Sequence, residues 1–186
     1  MPKIAEIEDT PNPNAVKFIL KEPLTWGVTH SFDNAEQAQD DPLASMLFDI
    51  EHVTNVLYVD RWLTVTQDGK ADWPELVRKV AVPIRAASAA DEQSAAKVAA
   101  ATTVIANLSP EDQQRLDQIH VLIDEQIRPS LQGDGGDLKV LDLNGNQLSV
   151  HYQGACGTCP SAIAGTLRGI ENLLRSIEPD IELVAI

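Results

Sequence analysis

Apolar and polar positions change period several times along this chain, and each change marks an element. Ala15 to Leu20 is an apolar-rich run behind the turn cluster Pro11-Asn12-Pro13-Asn14, and it predicts a strand. Asp41-Pro42 predicts a short helix: an acidic N-cap, proline at the first helical position, then Leu43, Met46, Leu47 and Ile50 on one face. Val53 to Val59 and Trp62 to Thr66 are rich in β-branched and aromatic residues around Asp60-Arg61 and predict a hairpin. Asp72-Trp73-Pro74 opens a second helix, on which Leu76, Val77, Val80 and Ile84 recur at helical spacing.

The second half has a cleaner pattern. Ser109-Pro110-Glu111-Asp112 caps a helix whose apolar face is Leu116, Ile119, Leu122, Ile123 and Ile127, with Arg128-Pro129 at its end. Gly133-Asp134-Gly135-Gly136-Asp137 predicts a turn and Leu138 to Leu143 a strand. Asn144-Gly145 is a hairpin signal, and Leu148, Val150 and Tyr152 alternate on a returning strand from Gln147 to Tyr152. A helix from Ser161 to Ile177 carries Ile163, Leu167, Ile170, Leu174 and Ile177, and a strand from Ile181 to Ile186 closes the chain. The expected class is α+β: two small α/β domains, the second in the order helix, strand, strand, helix, strand.

Composition sets the boundary between them. Residues 86–106 hold ten alanines and little else to bury, so they are expected to form a linker, with helix in part as an open alternative because alanine is the best helix former. The expected division is 1–86, an alanine-rich linker at 87–108, and 109–186. All three tryptophans (Trp26, Trp62 and Trp73) fall in the first part. The net charge of −14 disfavours nucleic acid and anionic membrane as partners, and the apolar runs are too short to span a bilayer. Met1-Pro2-Lys3-Ile4 leads straight into acidic residues with no visible address, so a cytoplasmic location is expected.

The candidate chemistry lies in Gly154-Ala155-Cys156-Gly157-Thr158-Cys159-Pro160-Ser161, which contains both cysteines of the chain. A thiolate pair at this spacing grips one side of a metal or cluster, or cycles as a dithiol. The following helix N-terminus favours thiolate, and Gly154 and Gly157 are expected to bend the backbone and bring N–H groups near the sulfurs. A thioredoxin-like dithiol belongs in a βαβ pattern, whereas a hairpin precedes this pair and only 27 residues follow Cys159. A zinc-held interaction module needs four ligands, and His151 is the nearest third, on a strand where it suits a surface position. An iron–sulfur cluster wants about four thiolates, a count that two copies meet across a symmetry axis. His30 and His52 read as isolated, His120 as a packing or solvent residue, and Asp134 and Asp137 as turn and surface residues.

Three motifs in order carry a family resemblance: Ile127-Arg128-Pro129, then Gly135-Gly136-Asp137, then the cysteine segment. Over roughly residues 112–184 the chain resembles the NifU-like (Nfu-type) C-terminal domain. The first half, with Asp9-Thr10-Pro11-Asn12-Pro13-Asn14-Ala15-Val16-Lys17-Phe18 and Asp41-Pro42-Leu43-Ala44, is similar to the N-terminal domain of Nfu-type proteins. The resemblance implies a non-enzymatic iron–sulfur scaffold or carrier. It implies a cluster, usually [4Fe-4S] with [2Fe-2S] as the alternative, held between two subunits by Cys156 and Cys159. It also implies a homodimer through that cluster, upstream cluster-assembly proteins as donors, and apo iron–sulfur proteins as recipients.

Overall fold

A computed structural model describes residues 1–89, 109–157 and 160–186, with the backbone alone for 160–165, and the chain divides into two units, Met1–Thr102 and Thr103–Ile186. From residue 90 on, the expected linker lies outside the described residues.

The first unit is an antiparallel sheet of order β1-β2-β5-β4-β3. Its strands are β1 (Ile4–Asp9), β2 (Ala15–Leu20), β3 (His30–Phe32), β4 (Val53–Val59) and β5 (Trp62–Gln67). Two helices, α1 (Pro42–Phe48) and α2 (Trp73–Ala86), pack with it around Phe18, Leu47, Val56, Leu63, Val80 and Ile84. β2, the hairpin and both helices fall where the apolar pattern places them. Met46 does not, being 41% exposed beside buried Leu43 and Leu47.

Asp41 ties this unit together. Its carboxylate accepts the Ala44 amide at 2.8 Å, capping α1, and accepts the Tyr58 hydroxyl from β4. His30 stacks on Tyr58 with ring centroids 4.9 Å apart. Burial opposes ionisation of Asp41, but hydrogen bonds from His30, the Ala44 amide and Tyr58 outweigh it and hold its pKa at about 2. A depressed carboxylate stabilises the fold above its unfolded value, and this contribution is lost as pH falls toward 2. His30 is therefore not isolated, and neither is His52, whose Nδ1 lies 3.2 Å from Asp68.

The second unit begins with α3 (Pro110–Leu122), capped by Ser109, whose Oγ accepts the Asp112 amide at 3.1 Å. The helix was expected to stop at Arg128-Pro129. Instead it widens into a π turn, Ile123–Ile127, and continues as α4 (Arg128–Gly133). Proline has no N–H and its ring crowds the carbonyl four residues back, and the wider turn relieves both demands. The Arg128 amide accordingly reaches back to the Ile123 carbonyl. Leu116, Ile119, Ile123, Ile127 and Leu131 run down one side of this composite helix into a core shared with Leu138, Leu148, Val150, Ile170 and Leu174.

Opposite lies a three-stranded sheet of order β6-β7-β8: β6 (Gly136–Asn144), β7 (Gln147–Gly154) and β8 (Glu182–Ala185). β6 and β7 form the expected hairpin, closed by the Asn144–Gln147 pair, so its two-residue turn is Gly145-Asn146. β8 runs parallel to β7, which requires a crossover, and α5 (Pro160–Leu174) supplies it. Ile170 and Leu174 of α5 are buried as expected, whereas Ile177 lies past the helix end and is 38% exposed. The Arg115 guanidinium grips Glu178 through two bonds of 2.9 Å and donates to the Gly145 carbonyl at 3.1 Å. That one side chain fixes α3 to the hairpin turn and to the segment before β8. The observed order is helix, strand, strand, helix, strand in an α+β domain.

Candidate functional site

The open end of the β6–β7 hairpin, far from its turn, builds the cysteine corner. Gly136 pairs with Gly154 across it, and the chain then leaves β7 through Gly154, whose φ is +65°. The Ala155 amide donates to the Gly135 carbonyl at 3.1 Å, and the Gly157 amide donates to the Gly154 carbonyl at 3.2 Å. Cys156 sits between those two bonds, 6% exposed, inside the domain core. Gly154 bends the backbone as expected. The Gly157 N–H closes that bend on the Gly154 carbonyl.

Close approach explains two of the glycines. A Cβ on Gly136 would stand 2.5 Å from Cys156 Sγ and 2.9 Å from its Cβ, so the sulfur occupies the space that side chain would take. A Cβ on Gly157 would stand 2.8 Å from the Tyr152 carbonyl oxygen. Real Cβ atoms essentially never come this close, and neither position accepts a side chain without movement.

All three sequence motifs meet here. Arg128, at the start of α4, pairs with Asp137 on β6, and its Nε also contacts Asp124 at 2.8 Å. Asp137 is fully buried and accepts the Leu138 amide at 2.7 Å, so its expected surface role is corrected. Asp134 does lie exposed, at the end of α4. The Arg128–Asp137 pair pins the helix to the strand residues on which Cys156 rests. Replacing Arg128 with alanine leaves a buried carboxylate without its guanidinium. This variant is expected to lose about 2 kcal/mol, less than a fully buried pair because Arg128 is a third exposed. Far-UV dichroism would show the loss, while tryptophan fluorescence, confined to the first unit, would not.

Cys159 and Thr158 lie outside the described residues, between this corner and α5. His151 sits on β7 between buried Val150 and Tyr152, with its Nδ1 2.9 Å from the Ile186 carbonyl oxygen. Its alternation places it on the opposite sheet face from Tyr152, as a surface residue would be. The sequence reading missed the Tyr58–Asp41–His30 group and the Arg128–Asp137 pair, because their members come together only through sheet register and helix packing.

The corner and its fold define a class: a small α+β domain with Cys156 at the end of a strand and, in sequence, a second cysteine directly before the next helix. Residues 4–91 match the family described as scaffold protein Nfu/NifU N terminal, and residues 119–185 match the NifU-like domain. The chain belongs to the Nfu/NifU family. Two curated relatives, from Drosophila persimilis and Drosophila sechellia, are both named NFU1 iron-sulfur cluster scaffold homolog, mitochondrial. Each is 31% identical over 182 residues, covering 96% of this chain and 63% of the relative. The chain therefore spans 63% of the length of these relatives. The solution NMR structure of a NifU-like protein from Saccharomyces cerevisiae is 23% identical with a TM-score of 0.39, covering 42% of this chain and 72% of that one.

These names overturn the cytoplasmic expectation, since they point to a mitochondrial rather than a cytoplasmic location. That expectation rested on seeing no address after Met1, and failing to see one carries no weight against relatives so named.

Proposed function

We propose that this protein is a non-enzymatic scaffold that holds an iron–sulfur cluster and hands it on. The cluster is the cargo, a [4Fe-4S] unit with [2Fe-2S] as the alternative, bound by Cys156 and Cys159 of two copies of the chain. The observation that carries the reading is that the chain's only two cysteines are separated by two residues, beside a helix start, in a chain of the Nfu/NifU family. The names of its relatives, iron-sulfur cluster scaffold homologs, support it. Two soft thiolates per chain supply half of the ligands a cluster needs, and a second copy supplies the rest. A cluster held this way leaves when the subunits part, which suits transfer to apo iron–sulfur proteins. Upstream assembly proteins load it, and the first unit, which has no cysteine, contacts partners and raises their local concentration.

Anaerobic reconstitution of the full chain with iron and sulfide tests this reading. The expected product is brown, contains acid-labile sulfide, and has the mass of a dimer carrying one cluster. A colourless preparation that takes up zinc, or one that reduces protein disulfides, would replace the scaffold with a zinc module or a dithiol oxidoreductase.

A further inference from the structure

The hydroxyl of Tyr152 is buried with no hydrogen-bond partner among the described residues. Tyr152 itself is only 6% exposed. Native cores rarely leave a phenol in this state, because burying an unpaired hydroxyl costs stability and phenylalanine would fill the same space without the cost.

Sheet register identifies what the ring shares its face with. Tyr152 pairs with Leu138 and Gly154 with Gly136, so Tyr152 and Gly136 are diagonal neighbours on one face of the hairpin. The space over Gly136 is filled by Cys156 Sγ. The Tyr152 side chain and the Cys156 sulfur thus rise over neighbouring pairs on the same face, within one core cluster. A tyrosine hydroxyl is a donor as well as an acceptor.

A neutral thiol accepts hydrogen bonds weakly, whereas a thiolate accepts them strongly and, in apolar surroundings, needs them. We propose that the Tyr152 hydroxyl donates a hydrogen bond to the Cys156 sulfur when that sulfur binds the cluster. Tyr152 is thus a positioning residue: it acts on the ligand and does not touch iron. Hydrogen bonds to ligand sulfurs are among the groups by which proteins tune iron–sulfur sites. The inference rests on the cluster-holding reading above.

The test compares full-length wild type and Tyr152→Phe, both apo and after anaerobic loading with iron and sulfide. Loaded Y152F is expected to lose iron to a chelator about tenfold faster, the factor that one modest hydrogen bond to a charged group supplies. Its iron–sulfur stretching bands in resonance Raman should also lose part of the H2O-to-D2O shift seen in wild type. Apo Y152F should melt at or above the wild-type temperature, because the unpaired hydroxyl is gone. Equal chelation rates with equal Raman shifts would overturn the inference. So would an apo variant that melts lower or fails to fold, since the hydroxyl would then be structural. A wild-type chain that takes up no cluster would instead overturn the scaffold reading, and would do so before any variant is compared.

Discussion

Serine at Cys156 or at Cys159 is expected to leave a folded chain that takes up no stable cluster. In the proposed shared site both copies carry the substitution, so each variant removes two of four thiolates. An alkoxide is a harder and more basic ligand than the soft thiolate iron–sulfur chemistry needs. The cluster-dependent dimer should disappear with the cluster. The fold should survive, but at different cost. Cys156 is packed in the second unit's core, so Cys156→Ser places a hydroxyl there and should cost about 1–3 kcal/mol. Iron per chain, molar mass by light scattering with and without reconstitution, and far-UV dichroism separate these effects. A serine variant that still carries one full cluster per dimer would refute the shared site. One that loses fold and metal together would identify a structural metal site instead.

What the sequence disclosed, and what it withheld, follows the range of the interactions. The β4–β5 hairpin and the alternating β7 are local patterns, with a turn and a buried face both visible in the residues themselves. β1 was missed because it is an edge strand, and most of Ile4–Asp9 is exposed, so no buried alternation marks it. β3 is three residues long and owes its pairing to β4. Pro129 predicts a stop, as the α-helical ladder requires, but the Ile123–Ile127 π turn evades the steric conflict. The cysteine corner was legible as a motif. The residues that shape it were not: Gly136 beneath the sulfur, Tyr152 diagonal to it, and Asp137 held by Arg128 depend on hairpin register and helix packing. The family motifs Ile127-Arg128-Pro129 and Gly135-Gly136-Asp137 gain a physical reason from that geometry, since they form the support on which Cys156 rests.

That support can be broken by a single methyl group. Gly136 lies in a strand, and its φ is not among the positive values of this chain, so alanine fits the backbone and only the new Cβ matters. That atom would stand 2.5 Å from Cys156 Sγ, 2.9 Å from Cys156 Cβ and 3.0 Å from the Gln153 carbonyl oxygen. The Cys156 backbone is anchored between the Gly135–Ala155 and Gly154–Gly157 hydrogen bonds. Rotation about χ1 can swing Sγ aside but leaves Cβ in place, so relief must come from the turn itself. Such overpacking costs about 1–3 kcal/mol, and it moves two of the four proposed ligand sulfurs at once. Gly136→Ala is therefore expected to fold, with a lowered second-unit melting temperature by far-UV dichroism, and to bind cluster at least about tenfold more weakly. Gly133→Ala is the control, because a Cβ there meets nothing within 4 Å and should leave uptake at the wild-type level. If Gly136→Ala takes up iron and sulfide as fully and as tightly as Gly133→Ala, the position of Cys156 against β6 has no part in holding the cluster, and the ligand sulfur must work from elsewhere.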